Sequence, residues 1–309
     1  LSEPTTVYGV GPRDRGKRLD RFLHERIPGI SRGRIQRAIR DRVTLTWGVR
    51  ARPATPVRPG GSVVIGWTPV PEVLRLESIP VLARGEGWLA VDKPPGIPVH
   101  PVNRVRENSL IRMLRRQEGE ESLRLCHRLD RETSGVLLVA HDATSARVLS
   151  GAFARGRVLK EYLALVRGRV EGESGSIDLP IARASGSKVW VRRDVAEEGE
   201  AASTSWTVER RLEGRTLLRV FPATGRRHQI RVHLAAIGHP IEGDLLYGRP
   251  DADYLALVAR GEDARREGPG PDRQMLHCAR LVFPTPRGAD ETVEAPVPLD
   301  FGRWAAAHA

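Results

Sequence analysis

Cysteine is nearly missing from this chain. Of 309 residues only Cys126 and Cys278 carry a thiol, which excludes a disulfide framework and an all-cysteine zinc site. No apolar run approaches the ~18 residues of a membrane span. The first residues lack the charged-then-apolar pattern of a signal peptide. No GxxxxGKS/T or GxGxxG element occurs, so a nucleotide cofactor has no support. HExxH and GxSxG are absent as well. His228 and His233 tempt a metal reading, but their spacing puts them on different faces of a predicted helix. The expectation is a soluble, cytoplasmic protein with no metal or nucleotide cofactor.

Lysine is scarce too. Lys17, Lys93, Lys160 and Lys188 are the only ones among 50 basic residues, so arginine carries nearly all the positive charge. The plain reading of that bias is a GC-rich genome, which favours arginine codons wherever either cation would serve. The placement of the charge says more. Residues 1–60 hold 14 basic and 5 acidic side chains, a net of +9 out of +12 for the whole chain. A basic segment on a near-neutral body is the footprint of an appended module that binds a polyanion. Hydrophobic residues at 40% and charged residues at 28% are ordinary for a globular protein. The length suggests about two domains.

Residues 1–12 read as a tail. Leu19, Phe22, Leu23 and Ile27 follow one helix face, ending at Pro28-Gly29. Ser31 can cap a second helix with Ile35, Ala38 and Ile39 inward and Arg34, Arg37 and Arg40 at three-residue spacing. Short strands are predicted at Val43–Thr46, Val49–Ala51 and Val63–Ile65. This compact unit spans 13–67, and the prolines around Thr68-Pro69-Val70-Pro71 mark 68–75 as a linker. The body, 76–309, mixes strands (Trp88–Asp92, Val136–Ala140, Tyr162–Arg167, Thr204–Val208, Leu217–Phe221) with helices (Ser109–Arg116, Thr144–Phe153, Arg227–Ile237). Residues 184–203 and 259–274 read as loops. Neighbouring strands as often as alternating helices make the class α+β.

One polar run stands out in apolar surroundings: Cys126-His127-Arg128-Leu129-Asp130-Arg131-Glu132-Thr133-Ser134-Gly135, leading into Val136–Ala140. An aspartate between two arginines at the mouth of a buried strand either caps a turn or is a carboxylate that nearby cations keep ionised, as a nucleophile requires.

The run closely resembles the HRLD-x-x-TSG motif of the RluA-type pseudouridine synthases. Lys93-Pro94-Pro95-Gly96 with Val99-His100-Pro101 resembles that family's entry segment. Lys160-Glu161-Tyr162-Leu163-Ala164-Leu165-Val166 resembles one of its strands. The stretch Thr224-Gly225-Arg226-Arg227-His228-Gln229-Ile230-Arg231-Val232-His233, continuing to Gly238-His239-Pro240, Gly243-Asp244 and Tyr247-Gly248, resembles its longest motif. Leu276-His277-Cys278-Ala279-Arg280-Leu281 is similar to its LHA segment, with Cys278 where alanine is usual. The basic N-terminal unit is similar to an S4 RNA-binding domain, although its turn reads Thr46-Trp47-Gly48 rather than V-N-G. Phe283-Pro284-Thr285-Pro286 lacks a histidine the family often carries. The resemblance covers about residues 17–301, in order.

The resemblance implies a mainly antiparallel mixed sheet with a central cleft, and isomerisation of uridine to pseudouridine in RNA. That reaction needs no redox cofactor, nucleotide or metal. It assigns catalysis to Asp130, Tyr162 and Arg231, with Tyr162 stacking on the base and Arg231 pairing with the aspartate through its planar fork. The target base must leave its stack, and Arg128 would fill the space it vacates. Arg131 and Leu276 would also meet RNA, Leu276 beneath the base, and Arg34, Arg37 and Arg40 would bind RNA from the S4-like unit. Large-subunit ribosomal RNA is the expected substrate of a monomeric enzyme, with transfer RNA as the alternative. A protein that kept the fold but lost the chemistry would be an RNA-binding or ribosome-associated factor, and it would be expected to lose the polar triad. A DNA-binding protein is disfavoured by the body's motifs.

Overall fold

The computed structural model describes residues 5–27, 32–66, 72–102, 105–259 and 271–306. The chain divides into two compact units, 1–74 with 103–106, and 75–102 with 107–309. The division at 74/75 falls within the stretch read as a linker, most of which lies outside the described residues. Residues 103–106, assigned from sequence to the body, group with the first unit.

The first unit holds β1 (Thr6–Gly9), α1 (Leu19–Arg26), α2 (Arg32–Arg42), β2 (Val43–Leu45) and β3 (Ser62–Ile65). The two helices bury the residues their periodicity selects, Leu19, Phe22 and Leu23 from α1 with Ile35 and Ile39 from α2. They pack with Leu45, Val63 and Ile65 from the sheet. The sheet order is β1-β3-β2, all antiparallel. Two expectations are corrected here. Thr6–Gly9, read as part of a tail, is the strand that completes the sheet. Val49–Ala51 forms no strand, because β3 takes its second partner from before it in the chain. The helix stop at Pro28-Gly29 and the Ser31 cap lie outside the described residues.

The second unit is built on a large sheet. Its strands are β4 (Val81–Gly85), β5 (Trp88–Lys93), β6 (Arg124–Leu125), β7 (Ser134–Ala140), β8 (Leu159–Arg167), β9 (Ser174–Asp178), β12 (Ser203–Leu212), β13 (Arg215–Pro222), β14 (Leu276–Pro284) and β15 (Asp290–Glu294). A separate pair, β10 (Ile181–Arg183) and β11 (Arg193–Val195), forms a two-stranded ribbon. The helices are α3 (Leu110–Glu118), α4 (Ala143–Ala154), α5 (Gln229–Ala236), α6 (Asp251–Ala259) and α7 (Leu299–Ala306). The order β4-β5-β7-β14-β8-β13-β12-β9 is antiparallel except between β7 and β14. The mixed, mainly antiparallel sheet expected from the resemblance is therefore present. Residues 184–203, expected to be loop, contribute β11, and most of the predicted loop 259–274 lies outside the described residues.

Strand β7 reads Ser-Gly-Val-Leu-Leu-Val-Ala and every residue is buried, as a central strand covered on both faces demands. Strand β13 alternates instead, with Leu218 and Val220 inward. Gly135 is required where it stands. Its φ is 108°, and a Cβ there would lie 2.1 Å from the Cys278 carbonyl oxygen. The parallel β7–β14 contact thus depends on a missing side chain.

Candidate active site

The site gathers at the middle of this sheet. Asp130 ends the loop that enters β7, where the Thr133 amide donates to the Asp130 carbonyl (3.2 Å). Tyr162 on β8 is the register partner of Cys278 on β14, and Leu276 opens β14. The loop after β13 leads to α5, which presents Arg231. Asp130, Tyr162, Arg231, Arg128 and Leu276 line one cleft of about 780 Å³.

Lys93 fixes the loop from below. It is fully buried, and its Nζ donates to the carbonyls of Pro94 (2.8 Å), Arg131 (2.9 Å) and Thr133 (2.8 Å). Three acceptors satisfy the three protons of an ammonium. Burial still pulls its pKa down to about 7, against the opposing pull of Glu132 and Asp130. The Gly96 amide also donates to the Arg131 carbonyl (2.9 Å), so the entry segment and the aspartate loop are laced together.

Arg231 sits between two carboxylates. Its Nε and Nη2 donate to Asp244 (2.6 and 2.9 Å), and its Nη1 donates to Asp130 Oδ2 (2.7 Å). The bidentate fork expected to grip Asp130 therefore grips Asp244. The reason is burial: Asp244 is inaccessible to solvent, and it also accepts the amides of Leu246 (2.8 Å) and Tyr247 (3.1 Å). A carboxylate without water needs every lone pair met by protein. Burial alone would raise the carboxyl of Asp130, but the charge and hydrogen bond of Arg231, joined by His228 and Arg128, together hold the group below its ordinary range. Asp130 is thus held as an anion on the cleft wall, its side chain 19% exposed.

Its other oxygen faces His228. Nε2 of that histidine lies 3.9 Å from Oδ1, too far for a hydrogen bond. Nδ1 pairs with the Tyr247 hydroxyl at 2.9 Å, and that hydroxyl accepts the Arg193 amide at 3.0 Å. A carboxylate nearby favours the proton on Nε2, so the Tyr247 hydroxyl donates to Nδ1. Burial, then Arg231, lowers the His228 pKa to about 4, which keeps the ring neutral at pH 7. The backbone of His228 is left-handed (φ 59°) at the N-cap of α5. Arg227 and His228, placed on the helix from sequence, precede it.

Residues 87–236 match the family described as RNA pseudouridylate synthase. An uncharacterized RNA pseudouridine synthase of Aquifex aeolicus is 37% identical over 75% of this chain and 77% of its own length. Ribosomal large subunit pseudouridine synthase C of Escherichia coli is 32% identical over 96% of this chain and 93% of its own. The chain belongs to the RNA pseudouridine synthase family. Among solved structures, human RNA Pseudouridylate Synthase Domain Containing 1 superposes with a TM-score of 0.58 at 30% identity, covering 73% of this chain and 86% of that one.

In this synthase Tyr162 is 8% exposed, and burial followed by the Cys278 thiol pushes its phenol well above the ordinary value. It holds its proton and presents a ring and an O–H donor. Lys160 lines the cleft, donating to the Ala223 (3.5 Å) and Thr224 (3.3 Å) carbonyls, and burial lowers its pKa. Arg128 is exposed at the cleft, and its charge together with that of Arg227 depresses His100 after burial does so. Arg131 lies off the cleft lining, its Nε donating to the Gly96 carbonyl (3.0 Å). In the first unit Arg37 and Arg40 are exposed on α2, and the Arg34 side chain lies outside the described residues.

Sequence reasoning gave no role to Asp244, His228 or Tyr247. All three lie inside the longest family-like motif, and an aspartate after glycine in a polar stretch was the available signal. Among the described residues no group of three or more His, Cys, Asp or Glu side chains is placed to hold a metal ion. His233 instead bridges Thr204 Oγ1 and the Leu179 carbonyl, both at 2.9 Å. No described helix is long and apolar enough to cross a membrane.

Proposed function

We propose that this chain, as an RluA-type enzyme, isomerises uridine to pseudouridine in large-subunit ribosomal RNA. The observation that carries the reading is the asymmetric anchoring of Asp130. Its Oδ2 is tied to Arg231, and among the described residues Oδ1 meets only His228 Nε2 at 3.9 Å. An anionic oxygen held in place but not consumed by a hydrogen bond is what a nucleophile needs.

The flipped uridine enters the cleft with its base between Tyr162 and Leu276, and Arg128 occupies the stack it leaves. Asp130 supplies negative charge where the N1–C1′ bond breaks. The uracil turns while bound, C5 joins C1′, the C5 proton is released and N1 regains one, so atoms balance without a cofactor. Arg231 keeps Asp130 ionised and oriented, and a buried arginine does so because its guanidinium stays charged. The first unit, S4-like in sequence, supplies non-specific RNA affinity, supported by its net charge and the exposed Arg37 and Arg40. The ribosomal substrate rests on the similarity to the Escherichia coli enzyme.

The test is tritium release from C5-labelled large-subunit RNA, with pseudouridine mapping in cells with and without the gene. Release, with loss of specific ribosomal positions in the deletion strain, is expected. Loss of transfer-RNA positions alone would move the substrate, and no release at all would leave an RNA-binding protein.

A further inference from the structure

We propose that Trp190 and Arg183 form a stacking site for a single-stranded base of the substrate flanking the target uridine. The proposal rests on the reading of the chain as an RNA-modifying enzyme and adds a contact outside the cleft. Trp190 is 70% exposed, whereas Trp88 and Trp206 are buried and Trp47 is half-buried. The Arg183 guanidinium lies 3.8 Å from its ring centroid and covers one face. An indole backed by a cation and still largely open to solvent is a platform for a second flat partner.

The surroundings select the partner. From residue 183 to 194 the chain carries Arg183, Lys188, Arg192 and Arg193 against one carboxylate, Asp194, and Asp251 of α6 pairs with Arg192. A net positive charge around an exposed aromatic ring fits a nucleic-acid strand, the bases stacking and the phosphates meeting cations. A protein partner with an apolar face would gain nothing from this charge.

The hairpin is preorganised. Asp251 at the start of α6 accepts from the Ser187 hydroxyl (2.7 Å), the Lys188 amide (2.9 Å) and Arg192 Nη1 (2.8 Å). Buried Val189 anchors the tip beneath. Binding to a hairpin already held this way wastes little energy on ordering it.

The position is also right. Three residues on from Trp190, the Arg193 amide donates to the Tyr247 hydroxyl, which holds His228 against Asp130. Three residues of chain span at most ~11 Å. The Arg193 charge reaches Arg227 on the cleft wall, where it helps to depress that guanidinium after burial and Arg128 have done so. A base stacked on Trp190 therefore belongs to the strand whose neighbour is held in the cleft.

The experiment uses the full-length chain and two probes, a fluorescent single-stranded oligouridylate and a duplex RNA of the same length. Trp190→Ala should weaken single-strand binding about tenfold or more while changing duplex binding less than about twofold. Trp190→Phe keeps a ring and should lose less. Direct contact is read separately: the oligouridylate should quench tryptophan emission in the wild type and quench it markedly less in Trp190→Phe. Equal quenching in both proteins, or Trp190→Ala binding the single strand like the wild type, overturns the proposal and leaves the stack as a clamp within the hairpin. These readouts need no turnover, so a failed tritium assay would refute the enzymatic reading without touching them.

Discussion

Each unit buries an ion cluster, an aspartate between arginines in the first and an arginine between aspartates in the second, so the two are mirror images in charge. In the first unit Asp20 is wholly inaccessible and receives Arg18, Arg32 and Gln36, with the two arginine side chains about half exposed. One anion inside holds two cations at the surface. In the second unit Arg231 is the buried centre and two carboxylates flank it, Asp244 sealed and Asp130 lining the cleft. The surplus charge is positive and faces solvent in the first case, negative and faces the cleft in the second. The same ion-pair chemistry thus leaves exposed cations in one unit and a cleft-lining anion in the other, the two roles that the proposed function assigns to RNA binding and to catalysis. What decides the outcome is which partner is left with an unsatisfied valence.

That contrast breaks most sharply at Asp130. Asp130→Asn keeps the shape and removes the surplus anion, so tritium release should fall by roughly 10⁴-fold or more. RNA affinity and the unfolding midpoint should hardly move. Turnover within a few-fold of the wild type would mean that the cleft anion is not the reactive one.

Asp244→Asn tests the sealed side. Removing one partner of a buried pair costs about 3–5 kcal/mol, read as a lower urea midpoint, and activity should fall because Arg231 loses its anchor. The pH dependence has a definite sign. Both Asp244 and Asp130 have carboxyls below the unfolded value of ~3.9, despite burial, because of Arg231. Their stabilisation is present above that pH and is lost as pH falls toward the lower folded values. The variant should therefore show a shallower loss of stability below pH ~4.

Asp20→Asn should cost about 1–3 kcal/mol, since Arg18 and Arg32 can turn to water. Single-turnover chemistry at saturating RNA should be unchanged. An equal loss of activity would erase the distinction between scaffold and reactive site.

The smallest effect belongs to the surface. Changing Arg34, Arg37 and Arg40 together to Gln should flatten the salt dependence of RNA binding by about 2 units, at roughly 0.7 per phosphate on a single strand. An unchanged slope would shift the electrostatic footprint to the second unit.

Local pattern was legible and distant pairing was not. Helices α1 and α2 declared themselves through apolar spacing, and β5, β7, β8, β12 and β13 through runs of β-branched and apolar residues. Strand β1 did not, because four residues with two half-buried side chains have no period to read. The ribbon strand β11 hid in a polar stretch, its pairing set by residues ten to fourteen apart in the chain. In the site, the polar run around Asp130 was visible as chemistry out of place among apolar residues, and family motifs supplied Tyr162 and Arg231. The destination of the Arg231 fork was hidden, because both carboxylates look alike in sequence and only burial separates them. His228 was misplaced on the helix because periodicity cannot register a single left-handed residue.

The close approach at Gly135 has a further consequence. There, β7 and β14 meet peptide to peptide, and Cys278 on the far side is in turn the register partner of Tyr162. The separation between the aspartate loop and the tyrosine is therefore gauged by main chain, whose dimensions no substitution can alter. Side chains elsewhere in the core can drift in size over evolution, and the gauge will not drift with them. A side chain at Gly135 would wedge the strands apart while leaving Asp130 and Tyr162 themselves unaltered.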